Sequence, residues 1–371
     1  KDSLRYGIIG CGSMGREHIE NIQALRKSEV TAICDPYPES IELAKSLLEK
    51  DVEVFDDYLN LLGSDLCDAV VVATPNFTHA DILRAALKSD KHILAEKPIC
   101  TTVQDAQDLI RLSEGRKELI WVAQEYRYMP PVAEMIRMAH NGAVGTIHQV
   151  SIREHREPFY PKVGNWKRFT VNTGGTLVEK CCHYFNLMDY ILKEHPVRVF
   201  GSGAQRVNHL DEEYDGRKPD ILDSAYVIVE YPSGARAMLD LCMFAENSMD
   251  TEQIVVVGEK GKLESLLPSL ILRYGKREDW GSRTVWGEKS GNERGISVRR
   301  VWDTNIKYAG QHFGASFIEH ERFARAIRER LPAEITLEDG LRSIATGIAA
   351  QRSIASGSAV HLSEVLPESL R

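Results

Sequence analysis

The chain has 371 residues, 43% hydrophobic and 27% charged, a globular composition long enough for two domains. Its net charge of −8, from 54 acidic and 46 basic side chains, argues against a nonspecific binder of nucleic acid or of an anionic membrane, since either needs a basic face. No apolar run approaches the length of a membrane span. No signal peptide is visible; the chain starts at Lys1, so a segment removed from its front stays open. The seven cysteines are scattered, and the adjacent Cys181-Cys182 makes neither a metal spacing nor an easy bridge. They read as reduced thiols in the cytoplasm, and no metal is expected.

Residues 5–10 read as a buried strand running into Gly10-Cys11-Gly12-Ser13-Met14-Gly15. That G-x-G-x-x-G opens a helix over residues 13–26. One glycine allows the tight turn, one lets the backbone approach a pyrophosphate, and one lets helix and strand pack closely. The helix N-terminus adds free N–H groups and partial positive charge for phosphates. A second strand, 30–34, ends in Asp35, 20 residues past Gly15, the spacing of an acid that binds the adenosine ribose hydroxyls. Without the glycines, Asp35 would read as a turn former before Pro36. No Arg or Lys follows to hold a 2′-phosphate, so NAD is favoured over NADP.

Strands and helices then alternate. Helices fit 38–50, 57–62, 78–88 and 102–114, and strands fit 52–55, 68–73, 93–95 and 119–123. Thr78-His79-Ala80-Asp81 reads as a capping box. The alternation means a parallel, doubly wound sheet, which takes its ligands at the carboxyl ends of its strands. Two stretches sit there: Thr74-Pro75-Asn76, and Glu96-Lys97-Pro98, which would aim an ammonium group into a cleft. Alone, Glu96-Lys97 is an ordinary solvated turn. The first domain is taken as 1–124, and Gln124 and Arg127 fit a wall beside the nicotinamide.

After a helix to about residue 141, the pattern changes to strands and hairpins. Strands fit 146–156, then 226–231 and 235–244 around Pro232-Ser233-Gly234, then 253–257 and 262–265. The second domain, 125–371, is therefore α+β on an open, mostly antiparallel sheet, with surface loops at 207–219 and 275–307 and closing helices at 314–329 and 337–356. Within it, Gly174-Gly175 precede a helix-like stretch in which Glu179 and His183, four apart, share one face. A carboxylate beside an imidazole orients it and raises its basicity, which suits a general base near neutral pH. In isolation the same spacing is an ordinary stabilising helix pair. Arg153, His155, Arg156, Tyr160, Asn165 and Trp166 offer donors and an aromatic face for a ligand, and equally read as a strand and a surface loop.

Together, Gly10-x-Gly12-x-x-Gly15, Ala73-Thr74-Pro75-Asn76 with His79, Glu96-Lys97-Pro98, and Gly-Gly followed by acid-x-x-x-His resemble the glucose–fructose oxidoreductase/inositol dehydrogenase (Gfo/Idh/MocA) family. The resemblance covers nearly the whole chain. It implies a Rossmann domain joined to an α/β domain whose open sheet covers the active site and builds homodimers or homotetramers. It implies that Lys97 contacts substrate and cofactor, that Lys97-Pro98 is a cis peptide, that His183 is the acid/base, and that Glu179 stands where the family carries a carboxylate. Asn165-Trp166 lies where the family's substrate loop runs. Two positions depart from the pattern, since the family usually has Asp at Glu179 and at Asn186. They put the substrate's identity in doubt more than the reaction.

The expected activity is NAD-dependent oxidation of a sugar or cyclic polyol, with Lys97, His183 and Glu179 as the catalytic set. The expected cofactor set is Gly10, Cys11, Gly12, Ser13, Met14, Gly15, Asp35, Thr74, Pro75, Asn76, His79, Glu96, Lys97, Gln124 and Arg127. The expected substrate set is Lys97, Arg153, His155, Tyr160, Asn165, Trp166, Glu179 and His183. Two alternatives stay open: an NAD-retaining glycosidase or epimerase-type enzyme, and a non-catalytic NAD-binding sensor. The presence of Lys97 and His183 argues against the sensor, which needs only the binding fold.

Overall fold

The computed structural model describes residues 3–279 and 295–366. The chain forms two compact units. The first holds a parallel sheet of β1 (Leu4–Ile9), β2 (Ser28–Cys34), β3 (Glu53–Phe55), β4 (Ala69–Val72), β5 (His92–Glu96) and β6 (Ile120–Ala123), in the order β3-β2-β1-β4-β5-β6. Between the strands run α1 (Ser13–Gln23), α2 (Pro38–Lys45), α3 (Tyr58–Leu62), α4 (Asn76–Ala86) and α5 (Val103–Ser113). Every residue of β4 is buried, as expected for a central strand covered on both faces. The strand order reverses between β1 and β4, and the crevice outside the carboxyl ends at such a point is where these sheets bind ligands.

The second unit begins with α6 (Pro130–His140) and is built on a sheet of nine strands. These are β7 (Ile147–His155), β8 (Arg198–Ala204), β9 (Ser224–Glu230), β10 (Arg236–Cys242), β11 (Glu252–Gly258), β12 (Gly261–Leu267), β13 (Ile271–Lys276), β14 (Ile296–Arg300) and β15 (Val360–His361), ordered β14-β13-β12-β11-β7-β10-β9-β8-β15. Only β7 and β10 pair in parallel. After β7 come α7 (Thr170–Thr173), most of which belongs to the first unit, and α8 (Thr176–Glu179) and α9 (Cys182–Leu192) of the second, and α9 packs against β7. Period-two burial is clear on β9, where Ala225, Val227 and Val229 are buried while Tyr226 and Ile228 are exposed.

β14 falls inside the stretch 275–307 that reads as a surface loop. As an edge strand it exposes most of its residues, so it carries no apolar alternation to read. Residues 280–294 of that stretch lie outside the described residues. The loop expected at 207–219 is a loop. Its start is fixed by Asp223, whose Oδ2 accepts three successive N–H groups, from Arg206, Val207 and Asn208, at 2.7–2.9 Å.

A single boundary at residue 124 does not describe the division. Residues 171–174 and 304–344 belong to the first unit. The reason is packing. The helix α10 (Ala315–Glu329) sends Phe323, fully buried, between Tyr6 and Trp121 at ring separations of 6.3 and 6.2 Å. Trp121 donates to Glu319 at 3.2 Å, and Val122 of β6 bonds to the Ile335 carbonyl at 3.1 Å. The last helix, α11 (Leu337–Ser356), starts in the first unit and ends in the second.

Truncating Phe323 to alanine is expected to destabilise the protein by about 3–5 kcal/mol in denaturant unfolding, the usual loss for a fully buried aromatic. A loss below about 1 kcal/mol would mean that α10 is not part of this core.

Candidate active site

The glycine loop divides its work as the spacing suggests. Gly10 has φ of 96°, a left-handed conformation, and lies so close to the Ala73 carbonyl that a side chain has no room. A Cβ on Gly15 would fall on the Gly10 carbonyl oxygen, so here helix and strand are in backbone contact. Gly12 has nothing within 4 Å of the place a Cβ would take. It caps α1 without any side-chain bond to the first turn. Those N–H groups therefore point from an uncapped helix end beside an open cradle, the arrangement that receives a pyrophosphate.

Asp35 is already at work in this loop. Its Oδ2 accepts the Cys11 N–H at 2.8 Å and its Oδ1 accepts the Tyr37 N–H at 2.9 Å. The carboxylate ties the glycine turn to the end of β2, and each oxygen keeps a further lone pair for a hydroxyl. Cys11 and Cys34 flank it as buried thiols, each pushed up to about 12 by burial first and by Asp35 second.

The two other edge motifs are joined by His79. Its Nδ1 lies 2.7 Å from the Pro98 carbonyl and its Nε2 2.8 Å from the Thr74 carbonyl. Burial lowers its pKa while the two carbonyls oppose that. The loops after β4 and β5 thus meet at the His79 ring, whose neutral form carries one N–H and donates to one of the two carbonyls at a time. The capping box does not form. α4 starts two residues early, at Asn76, and Thr78 donates back to the Pro75 carbonyl at 2.7 Å. Asn76 is buried and donates to the Thr173 carbonyl at 3.2 Å. Lys97-Pro98 is a cis peptide.

Gln124 and Arg127, expected beside the nicotinamide, both bond within the first unit. Gln124 donates to Ser343 at 2.8 Å, and Arg127 reaches the Glu334 carbonyl at 3.3 Å, so both face the returning segment of their own unit. Glu96 is buried as well, with His18 of α1 at 2.9 Å from its Oε1.

In the second unit, Glu179 and His183 are both buried but do not share one helix. α8 ends at Glu179, Lys180 and Cys181 form a turn, and α9 starts at Cys182. Glu179 Oε1 pairs with Lys167 at 2.7 Å. The Lys167 ammonium also lies 5.0 Å from the Phe159 ring and 5.6 Å from the Trp166 ring. Lys180 is buried against Glu154 at 3.0 Å.

β7 carries two members of the expected substrate set. Glu154, Ile152 and Val150 are buried, so Arg153 and His155 stand on the opposite face. There both pair with Asp240 across the sheet, at 2.9 and 3.1 Å. Arg156, by contrast, reaches Glu154 at 3.6 Å and Glu157 at 3.0 Å. Asn165 takes a left-handed turn with φ of 50°, and Tyr160 is exposed.

The family model described as "Oxidoreductase family, NAD-binding Rossmann fold" matches residues 4–124, and "Oxidoreductase family, C-terminal alpha/beta domain" matches residues 136–362. The chain belongs to the Gfo/Idh/MocA oxidoreductase family. The myo-inositol 2-dehydrogenase of Thermotoga maritima is 25% identical over 98% of this chain and 100% of its own. A glycosyl hydrolase family 109 protein of Solibacter usitatus is 24% identical, over 96% of this chain and 86% of its own. Levoglucosan dehydrogenase, solved in complex with NADH, shares the fold with a TM-score of 0.84 at 21% identity, covering 97% and 99% of the two chains.

As in other Gfo/Idh/MocA proteins, the first domain is an NAD-binding Rossmann domain, and the glycine cradle fits that cofactor. Sequence reasoning missed Lys167 and Lys180, which flank the known motifs but carry no spacing signal of their own. It also missed His18, one helical turn past Gly15, whose partners lie 78 and 302 residues away.

The glycines separate in a test. Gly15→Ala should destabilise the fold by about 1–3 kcal/mol, since backbone must shift. Gly12→Ala should leave the unfolding midpoint unchanged and weaken NAD binding. Equal effects of both substitutions on stability would contradict the assignment.

Proposed function

We propose that this protein reversibly oxidises a hydroxyl of a sugar or cyclic polyol, with NAD favoured over NADP. One observation carries the reading: Lys97 follows β5 on the same carboxyl edge from which the glycine loop leaves β1. A charged lysine at the cofactor edge suits stabilisation of a developing alkoxide. The full-length likeness to a myo-inositol 2-dehydrogenase supports a cyclic polyol.

NAD, when bound, supplies the hydride acceptor. The chain's own groups handle the proton and the charge. His183 takes the hydroxyl proton as general base. Lys97 holds the negative charge that grows on that oxygen, a task that gains strength where water is excluded. Lys167 and Glu179 offer a donor and an acceptor to neighbouring hydroxyls. Asn186, buried on α9, gives a neutral polar group where the family usually has an acid.

The glycosyl hydrolase relative favours a second reading, in which the hydride returns to the same substrate and no NADH is released. A panel of sugars, cyclitols and their keto forms, followed by NADH absorbance with NAD and NADP in parallel, separates the two. Net NADH supports the dehydrogenase; product without net NADH supports the second reading. Lys97→Met should lower kcat at least about 100-fold while NAD binding stays within about tenfold. An unchanged kcat would remove Lys97 from the chemistry.

The outer face of the nine-stranded sheet carries Phe200, Ile228 and Met238 side by side, 36–44% exposed, with Tyr226 alongside. That apolar row is the face we assign to a second copy of this chain. Ile228→Glu should shift the mass measured by light scattering toward the monomer; an unchanged oligomer would move the interface elsewhere.

A further inference from the structure

Glu96 of the Glu-Lys-Pro motif does not face outward. It is 6% exposed and sits at the end of β5 against α1. One oxygen, Oε2, accepts the backbone N–H of Lys97 at 3.0 Å. The other, Oε1, lies 2.9 Å from His18 Nε2. His18 Nδ1 lies 2.7 Å from Nε2 of His320 on α10. His18 and His320 are 1% and 0% exposed. All of these residues lie within the first unit.

Hydrogen-bond counting assigns the protons along this chain. His18 Nε2–H donates to the Glu96 carboxylate, and His18 Nδ1 accepts from His320 Nε2–H. His320 Nδ1, buried with no hydrogen-bond partner, is then a bare acceptor. Burial, with His18 adding to it, holds the His320 pKa well below the ordinary value. Burial alone would raise the Glu96 carboxyl, but the hydrogen bond from His18, and then the positive charges of Lys97 and His312, bring it below the usual range.

We propose that the His18–Glu96 pair, backed by His320, is the positioning device of Lys97. It fixes the Lys97 backbone through Glu96 Oε2 and sets a buried counter-charge beside the ammonium. Glu96 therefore acts on the chemical step, not on dinucleotide affinity. The inference rests on the role proposed above for Lys97.

Other charged groups face this pair. Glu125 and Arg127 follow β6, and burial raises the Glu125 carboxyl while His312 opposes it. Glu319 on α10 is raised well above its ordinary value by burial, then by Glu125 and Glu96. His312 stands 3.4 Å from Glu125 and 3.6 Å from Glu17 of α1. His79 completes the set on α4. Glu125 and Glu319 are pushed toward their neutral forms, while the neighbours of Glu96 and of Glu17 favour the anion.

Glu96→Gln and His18→Gln test this in the full-length protein with NAD. Both should lower kcat at least about tenfold while the NAD Kd stays within about threefold. In Glu96→Gln the alkaline limb of kcat should move to lower pH, because losing a nearby anion disfavours the ammonium form. A purely structural role would lower the unfolding midpoint without moving that limb. The proposal is overturned if NAD Kd rises in step with KM while kcat and its pH profile stay wild-type. If Glu96→Gln does not fold, His18→Gln decides by the same kcat and Kd readings. Lys97→Met run in parallel separates the failures. An active Lys97→Met sinks the Lys97 reading, whereas an inactive one beside normal Glu96→Gln and His18→Gln sinks only this inference.

Discussion

The contact between Gly15 and the Gly10 carbonyl sets the rest of the first unit. Backbone touches backbone there, so α1 starts at a fixed distance from β1. Asp35 holds the same turn from the β2 side through Cys11, and the Ala73 carbonyl crowds Gly10 from the β4 side. Three strand ends are thereby locked around one turn. A helix placed this tightly points its side chains predictably, and one of them, His18, reaches the end of β5. The dinucleotide cradle and the placement of Lys97 are thus consequences of one close approach.

Much of this was legible in the sequence because it is local. The glycine spacing, the acid 20 residues past Gly15 and the strand-ending Glu96-Lys97-Pro98 are short-range patterns with short-range physical reasons. The doubly wound order follows from the alternation of strands and helices. Illegible were the features set by distant partners. The partner of Glu96, His18, lies 78 residues earlier, and no spacing announces it. The pairing of Arg153 and His155 with Asp240, 87 and 85 residues later, is likewise not encoded in the period-two alternation of β7. Glu179 and His183 read as one helical pair because nothing in Lys180-Cys181 announces the turn that separates their helices. The return of α10 to the first unit rests on Phe323 meeting Tyr6 and Trp121, contacts that no periodicity encodes.

The first unit buries Glu17, Glu96, Glu125 and Glu319, none more than 6% exposed. Removing carboxylates from water is unfavourable, and such groups are weak evidence for stability. They are tolerable here because they do not all carry charge on equal terms. His312 helps lower Glu17, while burial and mutual repulsion raise Glu125 and Glu319. Neighbouring acids driven apart in this way commonly mark functional sites. Glu17 and Glu96 are left as the two whose neighbours favour the anion, and Glu96 directly precedes Lys97.

The second unit answers with its own ion pair. Glu is one methylene longer than the Asp the family usually carries at that position, and here the carboxylate meets Lys167 at 2.7 Å. The lysine is held near the faces of Phe159 and Trp166, a placement that electrostatics favours. Trp166 therefore serves as a seat for Lys167. The pair is charge-balanced, with Glu179 buried and Lys167 partly exposed. At position 179 the carboxylate is thus one half of an ion pair rather than a lone acid.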